Sequence, residues 1–251
     1  MPEFYPVSFE RHGQKQLMPL SSWECVADQQ MAALIPTEFV MAARFYPIVF
    51  VREQEKVGAF ALLGFQPGKN LMLDARRQWV ANYIPAVFRR IPFSVAPLKD
   101  RKEEYVLCVD EASGQIVDKG GIPLFDKDGK RSEFLEKTLK FTMDCFRQHR
   151  AGEVFCSLLN ELELLSPLQI NMKEGEKNVR LEGLLRIDEK KMNALPDEDF
   201  LRLRKAGVFA LIYAHLLSLV NMRTLGDRMQ DIQKQTAAPA AQVPLPDSFK
   251  F

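Results

Sequence analysis

The stretch Ile35–Phe65, "IPTEFVMAARFYPIVFVREQEKVGAFALLGF", holds three elements in a row. Pro36-Thr37 can open a helix, with Thr37 as its cap, because a hydroxyl there accepts a bond from a free N–H of the first turn. Phe39, Ala42, Ala43 and Tyr46 then fall on one helical face. Pro47 stops the helix, since the residue before a proline is driven out of the helical region. "IVFV" is β-branched and aromatic, the composition of a strand. "VGAFALLGF" (Val57–Phe65) reads as a second strand, with Gln54-Glu55-Lys56 as the turn between them.

The same grammar returns downstream. In Asn70–Ser94, "NLMLDARRQWVANYIPAVFRRIPFS", "NLMLD" reads as a strand and a further strand begins at Phe93. "FRRIPFSVA" (Phe88–Ala96) echoes "ARFYPIVFV" (Ala43–Val51): arginine, then proline three residues on, then a strand-like run. "QPGKN" is a loop by its Pro-Gly pair. "EEYVLCVDEASGQIVDKG" reads as a β-hairpin folded through Ser113-Gly114. Ser132 caps a helix in which Leu135, Leu139, Thr142 and Phe146 form one row and Phe134, Thr138, Phe141 and Cys145 another. Gly152 suits a helix stop, and "EVFCSLLNELELL" then starts a second helix. "LQINM" and "NVRLEGLLRID" read as strands about the turn "KEGEK", and "DEDFLRLRKAGVFALIYAHLLSLVNMRTL" as a helix bent at Gly207. Strands crowd the part before residue 125 and helices the part after it. The expected fold is therefore α+β, a mostly antiparallel sheet from the N-terminal half packed with helices of the C-terminal half. Residues 1–235 are expected to form one domain, and the proline- and alanine-rich "TAAPAAQVPLPDSFKF" (236–251) a disordered tail.

A hydrophobic share of 47% over 251 residues supports a sizeable core. The formal net charge of +1 gives no field that favours nucleic acid, and no nucleic-acid-binding motif is present. The start, "MPEFYPVSFERHGQ", lacks the basic end and apolar run of a signal peptide. The most apolar segment, Ala206–Val220, has 15 residues and contains His215, short of the roughly 20 that a membrane span needs. A cytoplasmic protein with no transmembrane segment is expected. Cys25, Cys108, Cys145 and Cys156 are scattered, as reduced core thiols are.

Motifs for chemistry are few. In "GFQPGKN" the glycines are one residue too close for a phosphate loop, and Asn70 replaces the hydroxyl that would hold magnesium. "DKDG" (Asp126–Gly129) resembles part of a calcium loop, but Leu124 and Leu135 stand where oxygen ligands belong. His12, His149 and His215 form no metal-ligand spacing, and His215 lies on an apolar helix, as a hydrogen-bonded core residue would. No nucleophile motif appears. No catalytic residue, metal or cofactor is therefore assigned, and the balance leans away from an enzyme. The one candidate binding cluster is Trp79, Tyr83, Arg89 and Arg90. Guanidinium forks suit carboxylate or phosphate, and aromatic rings stack on flat ligands or on arginine. The competing reading is framework: aromatics that pack, and arginines that cover a surface or pair with carboxylates.

The ordered series "TEFVMAARFYPIVF", "LLGF", "GKNLMLDARRQWVANYIPAVFRRIPF", "VDEASG", "GIPLF" and "LEGLLRIDEKKMNALPDEDFLRLRKAGVFALIYAHLLSL" resembles the SapC family of bacterial proteins over roughly residues 5–228. Its most specific parts are Tyr46-Pro47, the run from Trp79 through Tyr83-Ile84-Pro85 to Arg90-Ile91-Pro92-Phe93, and the helix with Tyr213, His215 and Ser218. At Ala75-Arg76-Arg77 the family more often has a tighter Asp-Gly-type turn. The family is named from a bacterial surface-layer locus, and no catalytic residues carry over. The resemblance implies a cytoplasmic accessory protein for surface-layer or envelope biogenesis or transport that binds a protein or peptide. The alternative is a small-ligand binder, or an enzyme, acting on a peptide or amino-acid-like anion.

Overall fold

The computed structural model describes residues 3–98, 101–174 and 177–237. The chain opens with β1 (Phe4–Pro6), the single turn α1 (Phe9–His12) capped by Ser8, and β2 (Gln16–Leu17). After β3 (Met31–Ala33) comes a 3-10 turn, Pro36–Glu38, continued by α2 (Phe39–Ala42). β4 (Ile48–Glu53) and β5 (Lys56–Leu62) form the expected hairpin. Glu53 pairs with Lys56, so the turn is only Gln54-Glu55, and Gln54 takes the left-handed conformation that tight hairpins use (φ 54). α3 (Ala86–Arg89) leads through Pro92 to β6 (Phe93–Leu98), then β7 (Arg101–Asp110), β8 (Ile116–Val117) and β9 (Ile122–Pro123). The helix, proline, strand order at Pro47 thus recurs at Pro92. The second half holds α4 (Glu133–Glu161), β10 (Leu165–Pro167), β11 (Ile170–Glu174), β12 (Lys177–Leu181) and β13 (Leu184–Ile187). It ends with α5 (Glu189–Asn193), α6 (Asp197–Ala206), α7 (Phe209–Ser218) and α8 (Asn221–Ala237).

The fold is α+β, with antiparallel sheets mainly from the N-terminal half. A five-stranded sheet runs β10-β13-β4-β5-β3 and a three-stranded one β1-β7-β6. β2 joins β8 and β9 in a small third sheet, and β11 pairs with β12. The 29 residues of α4, about 43 Å at the helical rise, serve both larger sheets. Near its start Leu135 packs with Leu17, Phe93, Leu107 and Val109. Near its end Phe155, Cys156 and Leu159 pack with Phe39, Phe50 and Leu62.

Several expectations are corrected. Thr37 does not cap the first helix; Ile35 does, and the Glu38 side chain reaches back to accept from the Ile35 N–H at 3.2 Å. "NLMLD" is a loop with a single bridge, Leu73 to Trp79. β7 and β8 are not a hairpin, because both edges of β7 are taken by β1 and β6. A 3-10 turn ending at left-handed Gly114 (φ 72) sends β8 to a different sheet. Gly152 does not end a helix: α4 runs through it, and a Cβ there would sit 3.3 Å from Cδ of Pro36, so the glycine permits a close crossing. Gly207 does interrupt the last helical stretch, in the left-handed conformation (φ 68). All four cysteines are free, but Cys25 is exposed. Two residues of the "KEGEK" turn, 175 and 176, and the tail from 238 onward lie outside the described residues. By length and composition the 26 residues Phe209–Lys234 match a membrane span, with a window of mean hydropathy 1.2 that is 28% buried in this fold.

The inner side of α7 is tied to the sheet by polar bonds. β13 and β4 pair as Leu184 with Val51 and Leu185 with Phe50. Two residues further in that register, Ile187 comes opposite Ile48, and there the His215 ring stands between the strands. The Ile187 N–H donates to His215 Nε2 at 3.0 Å, and His215 Nδ1 lies 3.0 Å from the Ile48 carbonyl. Because Nε2 accepts, the proton is on Nδ1, so the imidazole is neutral and extends the ladder by a side chain. The Ile48 N–H donates to Ser218 Oγ at 2.8 Å, and that hydroxyl donates to the His215 carbonyl.

Burial lowers the His215 pKa from 6.5 to about 4. In the unfolded chain it titrates near 6.5, so as pH falls from 6.5 towards 4 the unfolded state takes up the proton first and stability is lost. The loss should reach about 3 kcal/mol. In urea unfolding, the stability advantage of wild type over His215→Gln should shrink by about that amount between pH 7 and pH 4. An advantage that does not change with pH would contradict a neutral imidazole bridge.

Candidate functional site

Between β5 and α3 the chain has little regular structure, so side chains hold it. Buried Asn70 donates from Nδ2 to the Val26 carbonyl (3.1 Å) and accepts from the Met72 N–H (2.9 Å). Asp74 accepts from the N–H groups of Arg76 and Gln78, both at 2.8 Å. Arg77 takes a left-handed conformation (φ 59), a position that favours glycine. Arg77 also pairs with Glu24 at 2.7 Å.

The turn delivers Trp79 inward. Its Nε1–H is shared between the Tyr46 hydroxyl (2.9 Å) and the Tyr83 carbonyl (3.0 Å). The fully buried Tyr46 hydroxyl donates to that same carbonyl. The Trp79 ring meets Phe88, Trp23 and Tyr46 at centroid distances of 5.7, 6.0 and 6.5 Å. Next to it lies a buried carboxylate, Glu38, only 3% exposed. Its Oε1 accepts from the Tyr83 hydroxyl and the Ala86 N–H, each at 2.6 Å, while Oε2 takes the Ile35 N–H. Arg89 closes the group from outside. Its Nε donates to the Ile84 carbonyl (2.9 Å), one Nη to the Tyr83 hydroxyl (3.3 Å), and that nitrogen lies 3.8 Å from Glu38.

Three of the four candidate residues, Trp79, Tyr83 and Arg89, are thus joined by hydrogen bonds, and Arg90 meets Arg89 only as a fellow wall of a separate cavity of about 280 Å³ beside Trp23 and Phe141. Arg90 turns away, donates to Ser94 Oγ at 3.1 Å and lines a cavity of about 220 Å³ beside α4. Neither Trp79 nor Tyr83 lines that cavity or the neighbouring one of about 180 Å³. Two central members of the cluster, Glu38 and Tyr46, were not among the candidates. The available signal for Glu38 was its place two residues after Pro36, where a carboxylate reaches back over a helix start.

The chemistry of the cluster is that of a clamp. Burial raises the Tyr46 and Tyr83 hydroxyls above their ordinary range, with Glu38 adding to the effect at Tyr83, so both stay protonated donors. Elsewhere, burial pushes the Cys156 thiol up to about 12 and raises Cys145, so neither is a ready thiolate. Arg11 holds Glu111 down to about 2, with buried His12 adding a 3.0 Å contact. Among the described residues, no three His, Cys, Asp or Glu side chains group closely enough to hold a metal ion.

Glu38→Ala removes the acceptor of two N–H groups and one hydroxyl at once, and should cost about 3–5 kcal/mol in urea unfolding. Trp79→Phe, which removes one shared donor, should cost about 1–2 kcal/mol. A loss below about 1 kcal/mol for Glu38→Ala would show that the cluster does not hold the loop.

No curated protein and no solved structure matches the chain. A family model does: SapC, over residues 7–225. The matched span runs from just before α1 into α8 and takes in the five-stranded sheet, β6 and β7 of the three-stranded one, the Glu38 cluster and the His215 bridge. Since it covers most of the 251 residues, the chain belongs to the SapC family.

Proposed function

We propose that this SapC-family chain is a non-enzymatic cytoplasmic accessory protein of bacterial surface-layer or envelope biogenesis or transport, and that it acts by binding a protein or peptide. The observation that carries the reading is the outer face of α7 and of the turn that follows it. Tyr213, Leu217 and Val220 are 49%, 72% and 74% exposed, at helical spacing, while His215 and Ser218 hold the opposite face on the sheet. Phe209 stacks on Tyr213 with centroids 6.5 Å apart, and Phe200 of α6 lies 5.1 Å from Phe209. A contiguous exposed apolar patch marks an interaction site, and a helix presenting a row of apolar anchors is a common way to engage a groove. The Glu38 cluster supports the non-enzymatic part, because its carboxylate, hydroxyls and indole are engaged with one another. The surface-layer context comes from the family.

Leu217→Glu and Val220→Glu together should leave stability within about 0.5 kcal/mol, since both side chains are on the surface. Partners that co-purify with the wild-type chain from native cells should be lost from this double variant. If they persist, the face is not the interface. If instead only wild type sediments with phospholipid vesicles, the face serves a membrane surface and the protein-binding reading is wrong.

A further inference from the structure

We propose that Arg90 anchors a small monocarboxylate with a compact apolar tail, in the cavity beneath α4. This goes beyond partner binding and uses a different surface. The cavity lies where two sheets present their outer strands to each other. β3 is an end strand of the five-stranded sheet and β6 an end strand of the three-stranded one, and residues of both line it. α3 and α4, with Ile35 after β3, supply the remaining walls. The lining is mainly apolar: Ala33, Ala86, Val87, Val95 and Phe146 form much of the walls, α4 adds Thr142 and Cys145, and Arg90 with Ser94 supplies the one charged and hydrogen-bonding pair inside. His149 stands at the exposed rim.

Arg90 is half-buried and under-used. A guanidinium has five N–H donors. Among the described residues one bond is made, to the neutral Ser94 hydroxyl, and no carboxylate comes within ion-pair distance. The nearby polar groups do not neutralise it. Thr142 donates its hydroxyl to the Thr138 carbonyl within α4 at 2.8 Å, and burial keeps the Cys145 thiol protonated. Glu38 is already bound by Tyr83, Ala86, Ile35 and Arg89. Burial lowers the Arg90 pKa, the mark of a cation without an adequate partner. An unpaired cation next to apolar walls is costly, and a carboxylate offers two oxygens in the plane of the fork. Its neighbour Arg89 shows the contrast, with two protein acceptors and a carboxylate close by.

Size and charge set the class of ligand. An apolar cavity of about 150 Å³ takes a benzene ring. The roughly 220 Å³ here leaves room for a ring or a branched chain plus a carboxylate. One guanidinium matches one negative charge, which favours a monocarboxylate over phosphate.

Calorimetric titration of the full chain with benzoate and with phenylacetate tests this. Both should bind, and benzamide, which has the same shape without the charge, should bind about ten- to hundredfold more weakly. Arg90→Gln should lose a similar factor for the acids and little for the amide. Ala33→Leu, which fills the cavity and leaves Arg90 in place, should abolish binding of all three. The proposal is overturned if neither acid binds up to about 10 mM, if wild type takes acid and amide equally, or if inorganic phosphate binds more tightly than either acid. The acid and amide comparison uses wild type alone, so it stands even if a variant fails to fold.

Discussion

The neutral imidazole of His215 is the constraint on which the rest of the molecule depends. It completes the ladder between Ile48 and Ile187 and makes α7 part of the sheet. Ser218 fixes the Ile48 N–H from the next turn of the same helix. Just beyond, the Asn221 amide donates to the Ala43 carbonyl at 2.7 Å, so the junction of α7 and α8 also holds the chain that runs into Pro47. Tyr46 lies in that segment, and its hydroxyl meets Trp79 and the Tyr83 carbonyl. One chain of bonds therefore runs from α7 through the main sheet to the irregular loop before α3. Arg228 of α8 reaches the same loop from another side, donating to the carbonyls of Leu71 and Leu73.

Glu38 is a second junction built on a different principle. A buried carboxylate is costly unless its oxygens are occupied. Here one carboxylate gathers donors from the residue at its own helix start, from a tyrosine and from the start of α3. The arrangement explains the unlike fates of Arg89 and Arg90. Successive helical residues point about 100° apart. With Ala86 fixed to Glu38, α3 cannot rotate, so only Arg89 reaches the cluster and only Arg90 the cavity under α4, although both line a further cavity beside Trp23.

Local features of the fold were legible where the physics is local. The strand starts just after Pro47 and Pro92, the hairpin around Gln54-Glu55 and the Ser132 cap all depend on neighbours a few residues away, whereas the first helix ends at Ala42, short of the expected stop at Pro47. The buried, hydrogen-bonded state of His215 was legible because an imidazole set among the apolar residues of "FALIYAHLLS" needs partners. What was hidden depends on distant chain. The separation of β7 from β8 follows from which strands already occupy the edges of β7. The passage of α4 through Gly152 follows from the close approach of Pro36, more than a hundred residues earlier. Within the candidate cluster, aromatic and arginine content was visible, but direction was not. Nothing local distinguishes Arg89 from Arg90, and Glu38 reads as a surface charge until Tyr83 and Ala86 are seen against it.

The outer face of α7 deserves weight because of the bonds on its inner face. A helix apolar on every side is normally buried all round. Here the His215 and Ser218 bonds fix rotation about the helix axis, so Leu217 and Val220 cannot turn inward without breaking the ladder at Ile48. The exposure is therefore built into the fold and is not a loose packing that a small shift would repair. The same aromatic and aliphatic row continues onto α6 through Phe209 and Phe200, across the left-handed break at Gly207. A surface held open at this cost in apolar exposure is stable only if the free chain tolerates it or something covers it. The break at Gly207 lets α6 lie beside the start of α7, so that Phe200 meets Phe209 and the two apolar edges meet.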